Sequence, residues 1–364
     1  PFVTPTAIEM LSQIFIMPEH IYKDVTDFEH NDYNMNSVGT GPYKLVDYQS
    51  GSYLKFEANE NYYKGEPSVK NIVFQIIENA DTAILALQNG EVDAYQMTPQ
   101  QVKKLDLDAS NLTAYSYTEG RVGYLQFNCN RVTDENVRKA LLFAMDRKAM
   151  DDAAFESDEY YSIPYTFLPT NSQFYTEDGV EKYEQDVDKA KSMLEEAGVS
   201  GLKLKLGYIS SDTVQSAQAL LIQEQLQEVG VTVELAGGDG TAVSNAMKDP
   251  DNEYDMYLGG YIMGIDPDTF SSLFENDGAY NYMHYSGYDI IDQLFEEGRS
   301  EMDESARKET YAKLQAAVQD TGAFYPIISN NKILVVNNRI QGVEDAGLVP
   351  VYTFEDTSSL KIAE

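Results

Sequence analysis

The sequence predicts an α/β protein in which one domain is inserted into another, and three observations carry that prediction. From Leu202 to Gly259 strand-like and helix-like stretches alternate. Both chain ends share a short strand-and-turn texture, which suggests one domain made from the two ends with another between them. The 364 residues, at about 150 per domain, suffice for two cores.

The first third is strand-rich. Tyr43–Tyr48 and Ser52–Asn59 flank Gln-Ser-Gly and read as a hairpin. Ile72, Phe74 and Ile76 alternate with polar neighbours, the period of a half-buried strand. A short helix from Asp81 to Asn89 stops at Gly90, Val92–Tyr95 reads as a strand, and Pro99 opens another short helix. This β-α-β order predicts a mixed or parallel sheet. Beyond Tyr124, Glu135–Phe155 reads as one amphipathic helix, with Val137, Ala140, Leu141, Ala144 and Met145 on its apolar stripe. Helix 186–197 stops at Gly198. Strand 202–209, helix 214–229 (stopped by Gly230), strand 231–235, helix 241–248 and strand 254–259 then predict a mostly parallel sheet covered by helices on both faces. Helices 289–298 and 304–320 lead to a strand pair, Phe324–Ser329 and Lys332–Val336.

Composition narrows the function. Sixty Asp and Glu against 26 Lys and Arg give a net charge of −34. That charge repels phosphate backbones and anionic membrane surfaces, so nucleic acid is not an expected partner and a soluble monomer is. Cys129 is the single cysteine, which excludes an internal disulfide and a cysteine-based zinc cluster, and it reads as a small buried hydrophobe. No stretch reaches the roughly 18 apolar residues of a membrane span. The start carries no charged and apolar leader, so any export signal is expected outside this sequence. There are 27 Tyr, 15 Phe and no Trp, and tyrosine suits a wet ligand cleft as well as a core.

Catalytic signatures are weak. His20, His30 and His284 show no metal-ligand spacing, and neither a Gly-x-Ser-x-Gly elbow nor a phosphate loop occurs. Gly237-Gly-Asp-Gly240 lies between a strand and a helix but puts an Asp where a phosphate cradle needs donors. The acidic run Asp249–Asp255 lacks the central Gly of a calcium loop. No cofactor or metal is expected. The stronger signal is positional, because ligands of open α/β sheets bind beyond the carboxyl ends of strands. Strand 254–259 ends in Gly260-Tyr-Ile-Met-Gly-Ile-Asp-Pro-Asp268, a loop offering Tyr261, Met263, Asp266 and Asp268, in which either Asp could equally cap the helix opening at Thr269.

Several stretches together resemble the extracytoplasmic solute-binding proteins of peptide and nickel ABC transporters, family 5. They are Gly39-Thr-Gly-Pro-Tyr-Lys-Leu45, Tyr53–Ile77, Thr82–Ala94 with Leu87-Gln-Asn-Gly-Glu-Val-Asp93, Leu125-Gln-Phe-Asn128, Val137-Arg-Lys-Ala140 and Ala144-Met-Asp-Arg147. The resemblance implies a periplasmic-binding-protein-like type II fold: two lobes with a ligand cleft, and two crossover strands near Tyr124–Asn128 and Pro326–Asn331. Residues 1–125 and 331–364 would form lobe I and 126–330 lobe II. It also implies that an N-terminal portion typical of the family, with a small extra domain, is absent. Peptide-binding members pair the peptide's amino group with an Asp four residues before the loop proline. That position is Met263 here, and the aromatic usually filled by Trp is Tyr261.

The expected function is therefore binding, not catalysis: capture of an oligopeptide outside the cytoplasmic membrane for an ABC transporter permease. The protein would be periplasmic, or a surface lipoprotein anchored through its N-terminus. Candidate contacts are Tyr124, Asn128, Tyr261, Met263, Asp266 and Asp268, with Arg121 facing a ligand carboxylate or a rim salt bridge, and Asn330 at the second crossover. A metal chelate, sugar or other small solute on the same fold is the alternative, and an extracellular hydrolase a further one.

Overall fold

A computed structural model describes residues 5, 7, 11, 14–155, 158–350 and 352–363. Chain contacts divide it into two compact units, Gln13–Tyr117 with Lys332–Glu364 and, larger, Thr118–Asn331. The chain thus leaves the first unit at Tyr117/Thr118 and re-enters it at Asn331/Lys332.

In the smaller unit, Tyr43–Gln49 (β1), Tyr53–Ala58 (β2) and Asn71–Gln75 (β3) form an antiparallel meander, with Leu45 opposite Phe56 and Phe56 opposite Ile72. Helix Ala80–Gln88 (α1), capped by the Asn79 side chain, leads to Ala94–Met97 (β4). The expected β-α-β unit does not form: β4 pairs elsewhere, antiparallel to residues 333–336. Nine helical residues are enough to carry the chain to another sheet, and β2 already occupies one edge of β3. Pro99–Val102 (α2) starts in a capping box formed by Thr98 and Gln101, and Leu112–Thr118 (β5) leads out of the unit.

The larger unit is built on Val122–Phe127 (β6), every residue of which is buried. Where one helix was expected, two form, Glu135–Phe143 (α3) and Arg147–Phe155 (α4). The break has a local cause, because the Asp146 carboxylate accepts from the Ala149 N–H at 3.1 Å and so caps a new helix start. After Tyr161–Ser162 (β7) come Val187–Glu196 (α5), Lys203–Ile209 (β8), Thr213–Glu228 (α6), Thr232–Gly238 (β9), Gly240–Lys248 (α7) and Met256–Tyr261 (β10). Asp134, Asp186, Asp212 and Asp239 accept backbone N–H bonds at the starts of α3, α5, α6 and α7, where carboxylates also favour the helix dipole. Gly198 and Gly230 end α5 and α6 in left-handed conformations, with φ of 68° and 79°. Ser271–Phe274 (α8), Asp289–Ser300 (α9) and Glu304–Asp320 (α10) precede Phe324–Asn337 (β11).

The sheet of this unit is mixed, not mostly parallel. β8 pairs in parallel with β9 and β10, the strands joined by helical crossovers, whereas β6 pairs antiparallel with both β10 and β11. The final strand pair is in fact the single strand β11, whose ladder against β6 shifts register between Pro326 and Ile328. Proline, lacking an N–H, tolerates that irregular site. Period-two alternation assigns the core. Leu125, Phe127, Tyr325 and Ile327 join the apolar cluster with α3 to α6, while Val122, Tyr124 and Phe324 join the cluster with α9 and α10. Both faces of β6 are therefore buried.

Asp151 sits fully buried in α4. Its Oδ1 accepts from Gln218 Nε2 at 3.3 Å, and its Oδ2 has no partner. Burial pushes its pKa well above the ordinary carboxylate value, and only then do Gln218 and the nearby Arg147 oppose that rise. The unfolded carboxyl ionises near pH 4 (about 3.9) while the folded one keeps its proton longer. The stability this proton contributes is full below the unfolded pKa and is lost as pH rises through the folded pKa. Asp151→Asn is therefore expected to unfold at higher urea than the parent at pH 7 and to lose that advantage below about pH 4. An equal or lower midpoint at pH 7 would contradict a desolvated, neutral Asp151.

Candidate functional site

Strands β6 and β10 run antiparallel with Tyr124 opposite Gly259 and Gly123 opposite Gly260. A Cβ at Gly259 would stand 2.7 Å from the Tyr124 ring, and one at Gly260 would run into the Arg121 guanidinium. Gly259 therefore lets the Tyr124 ring lie flat on one face of the strand, and Gly260, the next residue along, leaves room for the Arg121 guanidinium. Above them opens a cavity of about 340 Å³, set entirely within the larger unit.

The cavity's floor and walls are mostly apolar, with six aromatic side chains among them. The Tyr124 ring lies 5.3 Å from Tyr261 and 4.8 Å from Phe324, and Phe274 meets Phe324 edge-on at 5.1 Å. Tyr261 is fixed by its hydroxyl, which donates to the Phe167 carbonyl at 2.6 Å. Burial holds the Tyr124 phenol up at about 12, against the pull of Arg121, and raises Tyr261 well above the usual phenol value. Both are neutral donors at physiological pH. The loop after β10 carries Met263 into the lining and turns at Gly264, whose φ of 89° suits glycine. The Ser172 hydroxyl donates to the Ile265 carbonyl at 2.5 Å and pins the loop's far side.

Of the eight residues singled out from sequence, the structure brings Arg121, Tyr124, Tyr261 and Met263 together around this cavity. The other four are placed elsewhere. Asp266 caps the turn Pro267–Phe270 and forms a buried ion pair with Arg307 at 2.8 Å. Asp268 pairs with Arg299 at 2.9 Å, and its pKa is raised by burial against that attraction. Asn128 is fully buried after β6, donating to the Pro250 carbonyl and accepting from the Asn130 N–H. Asn330 donates its side-chain amide to the Glu119 carboxylate, and the Glu119 N–H returns a bond to the Asn330 carbonyl at 3.2 Å.

Reading the sequence missed Gln126, Met247, Tyr282 and Phe324, which also line the cavity. Gln126 was within reach, since it lies two residues beyond Tyr124 on the same strand face. Met247 and Tyr282 sit on α7 and on a turn with no local motif, so only the fold places them. No cluster of three metal-ligating side chains occurs among the described residues. The Cys129 thiol, packed beside the same core, is pushed by burial to about 11 and is protonated at neutral pH.

A family model, bacterial extracellular solute-binding proteins, family 5 (middle part), matches residues 1–282. The crystal structure of the ABC transporter substrate-binding protein CtaP from Listeria monocytogenes is 37% identical, with a TM-score of 0.94, over all of this chain and 75% of that one. The oligopeptide-binding protein AppA of Bacillus subtilis is 27% identical over 358 residues, 90% of this chain and 64% of AppA. Its complex with a nonapeptide shares the fold at a TM-score of 0.79 and 22% identity, over 100% of this chain and 75% of that one. NikZ of Campylobacter jejuni in complex with Ni(L-His) shares it at 0.78 and 22%, over 93% of this chain and 71% of NikZ. The fold is thus the periplasmic-binding-protein type II fold, and the chain spans about two thirds (64%) of the length of AppA.

The placement of the two loop carboxylates has a thermodynamic consequence. Asp266→Ala would strand the Arg307 charge, whose side chain is 6% exposed, and is expected to cost about 3–5 kcal/mol in urea unfolding. Asp268→Ala, beside the more exposed Arg299, is expected to cost about 1 kcal/mol. Equal costs for the two would contradict the buried pairing.

Proposed function

Because the chain belongs to the bacterial extracellular solute-binding proteins of family 5, we propose that it captures a peptide-class solute in the cavity above Gly259 and Gly260 and delivers it to an ABC transporter permease. The observation that carries this reading is the cavity itself: Tyr124, a hydrogen-bonded Tyr261 and Met263 over a strand whose Gly259 leaves room for the Tyr124 ring. Such a lining suits variable apolar side chains, because aromatic faces and a flexible thioether adapt to many shapes. Tyr124, Tyr261 and Met263 are the proposed contacts for the solute's apolar parts, with Arg121 at the rim. The relatives are transport-binding proteins, which agrees with binding rather than turnover.

The nickel-chelate relatives supply a second reading. Among the described residues the cavity lining holds no His, Cys or carboxylate to ligate a divalent ion, which favours the peptide class over a metal chelate held by protein side chains. No helix among the described residues is long and apolar enough to cross a membrane.

Isothermal titration of the purified chain with a pool of tri- to hexapeptides tests the proposal. Tyr124→Ala and Tyr261→Ala are each expected to weaken binding by about tenfold or more, with thermal unfolding followed in parallel to exclude misfolding. Unchanged affinity in both folded variants would remove this cavity from the site.

A further inference from the structure

Two parts of the cavity wall come from separate pieces of chain. One is the second half of α7, where Val243, Ser244 and Met247 share a helix face, and the other is the turn 280–284, which supplies Tyr280, Tyr282 and Met283. Tyr282 packs against the apolar cluster of Val243, Met247 and Tyr257, a contact without direction. The directional link is half-buried His284, whose ring Nε2 lies 3.0 Å from the Met247 carbonyl oxygen. A carbonyl only accepts, so Nε2 carries a proton and donates, whether the imidazole is neutral or charged. Met247 belongs to the last turn of α7, whose carbonyls have no partners within the helix. His284 also holds an unusual backbone. Its φ is 53°, in the left-handed region that residues other than glycine rarely enter, and such a conformation persists where the surroundings fix it. Here the His284 N–H donates to the Asn281 carbonyl at 3.1 Å, and the buried Asn281 side-chain amide donates to the Asn276 and Tyr285 carbonyls at 3.2 and 3.0 Å. The Cys129 N–H donates to the Met283 carbonyl at 2.8 Å. The turn is thus pinned from behind, and the His284 ring is the arm it extends to α7.

We infer that His284 sets the width of the cavity: as a positioning residue it clamps the end of α7 to the turn 280–284, and so limits the size of the apolar group that the cavity admits. The inference rests on the solute-capture reading above and adds a size limit to it. Apolar packing alone lets the two pieces slide and repack, as flexible thioethers readily do, whereas a hydrogen bond to a backbone carbonyl fixes a distance and a direction. With the ring bond made, the cavity keeps its volume of about 340 Å³, and a group too large for it enters only by breaking that bond. Without the bond, helix end and turn part to admit it.

Two readouts on the complete 364-residue chain test this. The first needs no solute. Amide hydrogen exchange in His284→Phe, which keeps a ring and removes the donor, is expected to rise about tenfold or more at both 244–248 and 280–285, while His284→Gln, which keeps an N–H donor, stays near the parent. The second readout is specificity. Native mass spectrometry compares two tripeptide pools, each with one apolar residue in a glycine frame, leucine in the first and 2-naphthylalanine in the second. The parent is expected to favour the leucine pool by about tenfold or more, His284→Phe to reduce that ratio to about twofold or less by admitting the larger group, and His284→Gln to restore it. His284→Asn tolerates the left-handed backbone but has a shorter side chain, so it is expected to match His284→Phe and separates the ring bond from backbone strain. It also carries the same test should the Phe variant fail to fold. No leucine preference on the parent, or a preference that survives in folded His284→Asn, would overturn the size limit, and unchanged exchange at both segments would overturn the clamp. Loading of neither pool on the parent would overturn solute capture itself, with the exchange result still deciding the clamp.

Discussion

The antiparallel pairing of Val122–Phe127 with Met256–Tyr261 is the constraint on which the larger unit depends. It joins a strand entering from the first unit to the end of a βαβαβ run, and so closes the sheet. Because side chains alternate, the same strand supplies Leu125 and Phe127 to one core and Val122 and Tyr124 to the other. A one-residue slip would exchange these faces and would also move Gly259 away from Tyr124. Core and cavity are therefore specified by a single register.

Much of the fold was legible in the sequence, and the physical reasons are local. Helices α5 and α6 were read from the Gly that ends each in a left-handed turn, and the structure adds an Asp cap at the starts of α5, α6 and α7. Strands were legible where one face alternates, as in β2 and β3. Reading failed where partner choice is tertiary. Whether β4 joins β3 or β11, and whether β6 joins a parallel set, depends on which edges are free and not on either strand's residues. The split between α3 and α4 was visible in principle as Asp146, a cap signal inside an apolar periodicity that masked it.

The candidate site divides along the same line. Tyr261 and Met263 were found because a glycine-bearing loop at a strand end marks where a backbone can approach a ligand. Asp266 and Asp268 belong to that same loop but face Arg307 and Arg299, partners more than 30 residues away that no local pattern reveals. Charge tells a similar story at the scale of the molecule. Several of the acids cap helices, where they satisfy backbone donors, and others form ion pairs, while among the described residues the cavity lining holds no acid and a single arginine.

Hydrogen–deuterium exchange of the complete chain, with and without a saturating pool of apolar peptides, tests most directly the claim that solute is held on the β6–β10 surface. Protection is expected at residues 121–127 and 256–265 and in the turn 280–284, with the meander at 43–75 unchanged. Protection confined to residues outside Thr118–Asn331, or none despite bound peptide, would contradict it.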